Sequence, residues 1–212
     1  MRRREEPLER LEAVVVSPRD RASLPWPLTE APAPFVRLSA STAREDVALV
    51  VGQLALYNGL EEDIADNESP AEVIARALAI DELVLPGGLR AIGRTVEIAP
   101  SCCCGLEAWR EWYQLSPWLG HDPTPWIEVD GEAVRVWSDG GLGESARGEL
   151  RCLTSTRARL FEHVAAVERD LVDFLERLRG WTTTIAPAQA AALVDRFAHA
   201  FAVRPETTAD AT

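Results

Sequence analysis

The chain contains no lysine, and all 22 of its basic side chains are arginine. Average usage, in which lysine is among the commonest residues, would supply on the order of ten. The absence leaves no ε-amine for tagging or acylation; it fits equally the arginine-, alanine- and proline-rich coding of a GC-rich genome. Long apolar runs are missing too. No stretch reaches the roughly 18 residues that a membrane-spanning helix needs. Met1-Arg-Arg-Arg-Glu-Glu6 leads to Pro7 and more charge, not to the apolar core of a signal segment. These two absences predict a cytoplasmic protein with no membrane partner. Positive charge is scarce: 34 acidic side chains oppose the 22 arginines, for a formal charge of −12. Such a field repels phosphate backbones and argues against nucleic acid. Cysteine is limited to four residues, and Cys102, Cys103 and Cys104 are consecutive. Adjacent thiols bridge each other only with strain, so no disulfide framework is expected and a reducing compartment fits.

What is present is ample for a core: 47% of the residues are hydrophobic. The acidic surface is suited to a cationic partner, a basic protein, whose encounter it would accelerate at low salt. Tryptophan is frequent, with seven residues, four of them at 109, 112, 118 and 126. Trp serves equally in a small core and at an interaction hot spot.

Along the chain, Leu11 to Val16 and Phe35 to Leu38 read as strands, separated by a proline-rich connector. A helix follows Ser41 or Thr42 as cap, with Val47, Val50, Val51, Leu54 and Ala55 at helical spacing and Gly59 as its stop. A second helix starts on Ser69-Pro70. Leu83 to Leu85, a Pro86-Gly87-Gly88 turn, Leu89 to Ile92 and Thr95 to Ile98 suggest short antiparallel strands. Leu106, Trp109 and Tyr113 place an aromatic stripe on a helix after the cysteines. Trp126 to Val129, Asp130-Gly131 and Ala133 to Trp137 form the clearest hairpin, with Glu128 and Arg135 on a charged face. A long amphipathic helix is predicted from about Thr156 to Arg179, ended by Gly180, and a last one from about Pro187 to Val203.

The expected fold class is α+β: a small antiparallel sheet, built around 83–99 and 126–137, covered by helices, with an N-terminal αα pair and a long C-terminal helical hairpin. One domain over 1–204 is expected, with a possible sub-lobe at 41–80 and a disordered tail at 205–212.

The thiols invite two readings. Packing is one, since Cys is a small hydrophobe and Gly105 lets a helix approach a sheet closely. Chemistry is the other. Cys102 and Cys104 could join His121 and Cys152, or Asp122, around zinc or iron, although the Cys-x-x-Cys spacing of zinc sites is missing. A thiol at the helix start could also be nucleophilic, with His121 as base. His163 and His199 read as structural or solvated. No nucleophile elbow, phosphate loop or dinucleotide fingerprint is found, and no acid–base pair points to an enzyme. Gly140-Gly141-Leu142-Gly143 lacks the strand and helix that a phosphate site needs. Glu61, Glu62, Asp63, Asp66 and Glu68 put five carboxylates into eight positions, without the spacing of a calcium loop. They are the electrostatic candidates for a partner contact, and Trp118 and Trp126 are the aromatic ones.

The run from Pro86 through Pro100-Ser-Cys-Cys-Cys-Gly-Leu-Glu-x-Trp109 resembles a motif of uncharacterised proteins from GC-rich bacteria, which implies no activity. The hairpin Trp126 to Trp137 followed by the helix Phe161 to Leu178 is similar to the SUKH superfamily of immunity proteins. That resemblance implies binding and neutralisation of a toxin domain. The expectation is therefore a non-catalytic protein-binding protein of immunity or regulatory type, working without a cofactor through an acidic, Trp-bearing surface. The thiol-based site is the alternative.

Overall fold

The structure, a computed structural model, describes residues 3–18, 24–28, 33–60, 64–65, 67–100, 105–117, 125–138 and 150–203. Its α+β architecture places two four-stranded sheets against five helices among these residues. The expected tail at 205–212 lies outside the described residues.

The two strand groups that the sequence suggests as one sheet belong to different sheets, because one N-terminal segment feeds both. β1 (Arg3–Pro7) lies parallel to β8 (Leu150–Thr156), with Glu5 opposite Cys152. Leu8 N–H still donates to Thr154 O, at 2.8 Å, but Glu9 N–H already donates to Ile92 O, at 2.8 Å. The chain thus changes sheets between neighbouring residues and runs on as β2 (Arg10–Val16). β2 pairs antiparallel with β3 (Phe35–Arg37) on one side and β4 (Gly87–Ile92) on the other, and β5 (Glu97–Ile98) completes the order β3-β2-β4-β5. The other sheet is β1-β8-β7-β6, from the hairpin β6 (Trp126–Asp130) and β7 (Ala133–Trp137). Gly131, at φ 60, supplies the left-handed residue that its two-residue turn requires.

α1 (Arg44–Ala55) is buried over every residue from Val47 to Ala55, as a helix clasped on several sides must be. Neither proposed cap is used. Thr42 Oγ1 accepts from Ser39 N–H (2.8 Å) and closes the preceding turn, leaving Ala43 at the N-cap without a side-chain bond. The helix runs into a wide turn over Leu56–Leu60 that stops on Gly59 at φ 92, as expected. α2 (Pro70–Leu78) starts with a full capping box between Ser69 and Glu72.

Residues 83–85 are not a strand. The Asn58 side chain occupies their backbone, accepting from Val84 N–H at 3.0 Å and donating to Val84 O at 2.8 Å. Gly87 and Gly88 lie in β4 instead of making a turn, with Gly88 at φ 131. Backbones meet there: a Cβ on Gly87 would stand 2.1 Å from Val14 O, and one on Gly105 would stand 2.0 Å from Gly87 O. Gly105 thus gives the close approach expected of it.

The predicted aromatic helix is a 3-10 turn (Leu106–Ala108) followed by a single turn, α3 (Glu111–Gln114), ended by Leu115 at φ 52. Leu106, Trp109 and Trp112 are nevertheless buried. Trp109 Nε1–H donates to Phe201 O (2.8 Å), and the Arg110 guanidinium, 4.4 Å from the Trp109 ring centroid, donates to Ala202 O (2.9 Å) and to Glu168. Segment 105–113 is thereby fastened to the C-terminal end of the fold.

α4 (Arg157–Ile185) has 29 residues, about 43 Å of helix. Leu160, Val164, Val167, Leu171, Phe174, Leu175 and Leu178 form its buried stripe, as their spacing requires. It continues through Gly180 because Trp181 and Thr182 are themselves buried; Trp181 meets Trp26 edge-on at 5.5 Å. α5 (Ala190–Ala200) folds back on it through Phe174, Phe197 and Phe201. No helix among the described residues is long and apolar enough to cross a membrane.

Candidate functional site: the outer face of one sheet

The sheet β1-β8-β7-β6 turns Ile127, Val134, Val136 and Leu153 toward the core, all at most 2% exposed. Because strand side chains alternate, residues one step away share the other face. Its first row across the strands is Glu5, Cys152, Trp137 and Trp126. The second is Pro7, Thr154, Arg135 and Glu128, and the third adds Thr156, Ala133 and Asp130. Two residues that the sequence proposes for different purposes, Trp126 and Cys152, thus share one row.

Hydrogen bonds fix the outer carboxylates. Trp137 is buried, and its Nε1–H donates to Glu128 Oε2 at 2.9 Å. Arg135 lies between two acids, 3.8 Å from Glu128 Oε1 and 4.0 Å from Glu5 Oε1. Trp126 is half-buried, while Asp130 and Glu132 are exposed at the turn. Arg157 Nη2 reaches the turn at Gly131 O, at 3.3 Å. Four carboxylates and two guanidiniums therefore border the half-buried Trp126 indole, which can stack on a cationic or aromatic group, while buried Trp137 orients Glu128.

The surplus of acid is set by composition, 34 carboxylates against 22 arginines. Much of the arginine is tied to acceptors within the protein. Arg10, Arg37 and Arg90 converge on Glu12, and Arg177 donates to Thr42 O. Arg196 donates to Ile80 O and Asp81 O, and Arg151 to Glu97 O.

Of the acidic segment, Glu61, Glu62, Asp63 and Asp66 lie outside the described residues. Glu68 is described and faces inward. Its carboxylate takes Arg76 Nη1 at 2.9 and 3.0 Å and Ala65 N–H at 3.3 Å, and its side chain is 11% exposed. Trp118, Cys102, Cys104, His121 and the glycines at 140–143 also lie outside the described residues. Cys152, 0% exposed between Glu5 and Trp137, is the one member of the proposed metal set whose surroundings are defined.

Sequence reasoning did not single out Glu5, Glu128, Asp130, Arg135 and Trp137 as site residues. The alternation of the hairpin signals Glu128 and Arg135. Glu5 carries no such signal, because it joins this face through a parallel pairing with a strand that starts at residue 150. Comparison of the chain with protein-family models, with curated proteins and with solved structures finds no match.

Proposed function

We propose that this chain is a non-catalytic, cytoplasmic protein-binding protein of immunity or regulatory type that meets a basic protein, not a nucleic acid, through an acidic, Trp-bearing surface. The observation that carries the reading is the outer face just described. Trp126 lies beside Glu128, which the Trp137 indole orients, with Asp130 and Glu132 at the rim. Negative charge would steer a cationic partner, and burial of indole would hold it. The rest of the acidic segment, Glu61, Glu62, Asp63 and Asp66, is a second electrostatic element of the same reading, Glu68 being taken by Arg76. The function requires no cofactor.

The test compares the native chain with Glu128→Arg/Asp130→Arg and with charge reversal at Glu61, Glu62 and Asp63. The probe is a small basic protein, followed by Trp fluorescence over a salt series. Association of the native chain is expected to slow steeply with salt, and each reversal to weaken binding about tenfold or more at low salt. Binding that neither reversal changes overturns the reading.

A further inference from the structure

We propose that the partner docks by adding an extended basic segment to the open edge of β6, so that this sheet gains a strand. The inference rests on the acidic-face reading and deepens it by naming the form of the ligand. Among the described residues β6 is the last strand of its sheet, with β7 on one side only. Ile127 N–H points away from β7, since it donates to Pro117 O at 3.2 Å. In an antiparallel pair this outward direction alternates with every residue. Val129 N–H and C=O therefore also point to the edge, and among the described residues no backbone bond outside the ladder involves either group. Pro117 O takes the edge at Ile127, and no other described residue makes a backbone bond to the edge around Val129.

The side chains there specify the occupant. Val129 is 38% exposed, one of two large hydrophobic residues so exposed among the described residues. Glu128 and Asp130 flank it on the outer face. A second copy of β6 would bring the same carboxylates opposite one another, which is unfavourable. A strand with a small apolar residue opposite Val129, and arginine or lysine on either side, meets an apolar neighbour on the inner face and carboxylates on the outer one. Trp126, on that outer face, adds an indole surface for a guanidinium. The recognised pattern is basic–apolar–basic in extended form, held mainly by main-chain hydrogen bonds as in other strand additions.

The probe is the peptide acetyl-Arg-Val-Arg-Val-Arg-amide, titrated into the full chain. Trp fluorescence gives binding, and amide hydrogen exchange gives protection at Val129. The native chain is expected to bind, with exchange at Val129 slowed at least tenfold. Val129→Pro removes the edge donor without touching the β7 ladder, and methylation of the peptide's valine nitrogens removes the donors of the ligand while leaving the protein intact. Each is expected to weaken binding at least tenfold. If the methylated peptide binds equally well and Val129 exchange is unchanged, strand addition is wrong and the acidic-face reading stands. If Glu128→Arg/Asp130→Arg binds the peptide as the native chain does, the acidic-face reading fails as well. A native chain that does not bind the peptide overturns the inference.

Discussion

Glu12 on β2 and Arg90 on β4 are direct cross-strand partners, with Arg90 Nη2 2.7 Å from Glu12 Oε2. Around this pair stand Arg10 Nε at 2.9 Å and Arg37 Nη1 at 3.5 Å from Glu12 Oε1. The Glu12 side chain is 4% exposed. Arg37 also reaches Asp170 on α4 (2.9 Å), so one carboxylate ties three strands to the long helix.

Glu12→Gln should cost about 1 to 3 kcal/mol, because it removes the charge-assisted hydrogen bonds from Arg10 and Arg90. Chemical denaturation measures the loss. Burial alone would raise the Glu12 pKa, but hydrogen bonds from Arg10 and Arg90 and the charges of Arg90 and Arg37 outweigh it and hold the group below its ordinary value of 4.5. Its stabilisation is therefore complete above about pH 4.5 and is lost as pH falls through the lower folded-state value. In Glu12→Gln the acid limb of the stability curve should be shallower in that window. An unchanged limb would exclude Glu12 as its source.

His163 adds a second and milder acid limb. Its pKa is lowered from 6.5, first by burial and then by the charge of Arg159, and its buried Nε2 has no hydrogen-bond partner among the described residues. The neutral form is favoured in the folded state, so stability is full above about pH 6.5 and declines as the pH drops through the lower folded-state value. His163→Leu should flatten stability just below pH 6.5 and leave the Glu12 limb in place. Urea midpoints measured from pH 2 to 8 separate the two.

Two glycines give opposite predictions. Gly105→Ala places a Cβ 2.0 Å from Gly87 O, backbone against backbone, and should lower stability by about 2 kcal/mol or more, within the range for overpacking. Gly180, within α4, has no atom within 4 Å of an added Cβ, so Gly180→Ala should raise stability by about 1 kcal/mol. Paired melting curves check both signs.

Trp109→Phe keeps most of the ring but leaves Phe201 O without its indole donor, at a cost of about 1 to 3 kcal/mol. Limited proteolysis should show earlier cutting after α5 if this bond holds the C-terminal end of the fold.

Cys152, 0% exposed, should resist a bulky thiol reagent in the native state and react only on unfolding. Mass mapping of the modified peptides tests this. Fast native labelling of Cys152 would contradict its burial and favour the thiol-based alternative.

Much of the fold was legible where local chemistry and packing agree. The Ser69-Pro70 start, the hairpin from Trp126 to Trp137 and the stripe on α4 all formed as read. Misreadings came where distant parts of the chain decide. Gly87-Gly88 has turn chemistry but is bound into a strand by Val14 and Gly105. Gly180 has a stop residue's chemistry, but buried Trp181 and Thr182 carry the helix on. β1, whose sequence is Arg-Arg-Glu-Glu-Pro, shows no apolar alternation, because backbone pairing with β8 places it. The outer face was half-visible for the same reason: its hairpin side is local in sequence, while Glu5 and Cys152 are brought to it by strand pairing alone.

The parallel pairing of residues 3–7 with residues 150–154 also bears on how the chain is made. A ribosome releases β1 long before β8 exists, so that sheet stays incomplete through most of synthesis while β2 already has β3 and β4 to pair with. Nascent chains halted before residue 150 should therefore hold one finished sheet, an unpaired β1 and a hairpin missing its third strand, an intermediate open to chaperone capture until the last third of translation supplies the shared mate.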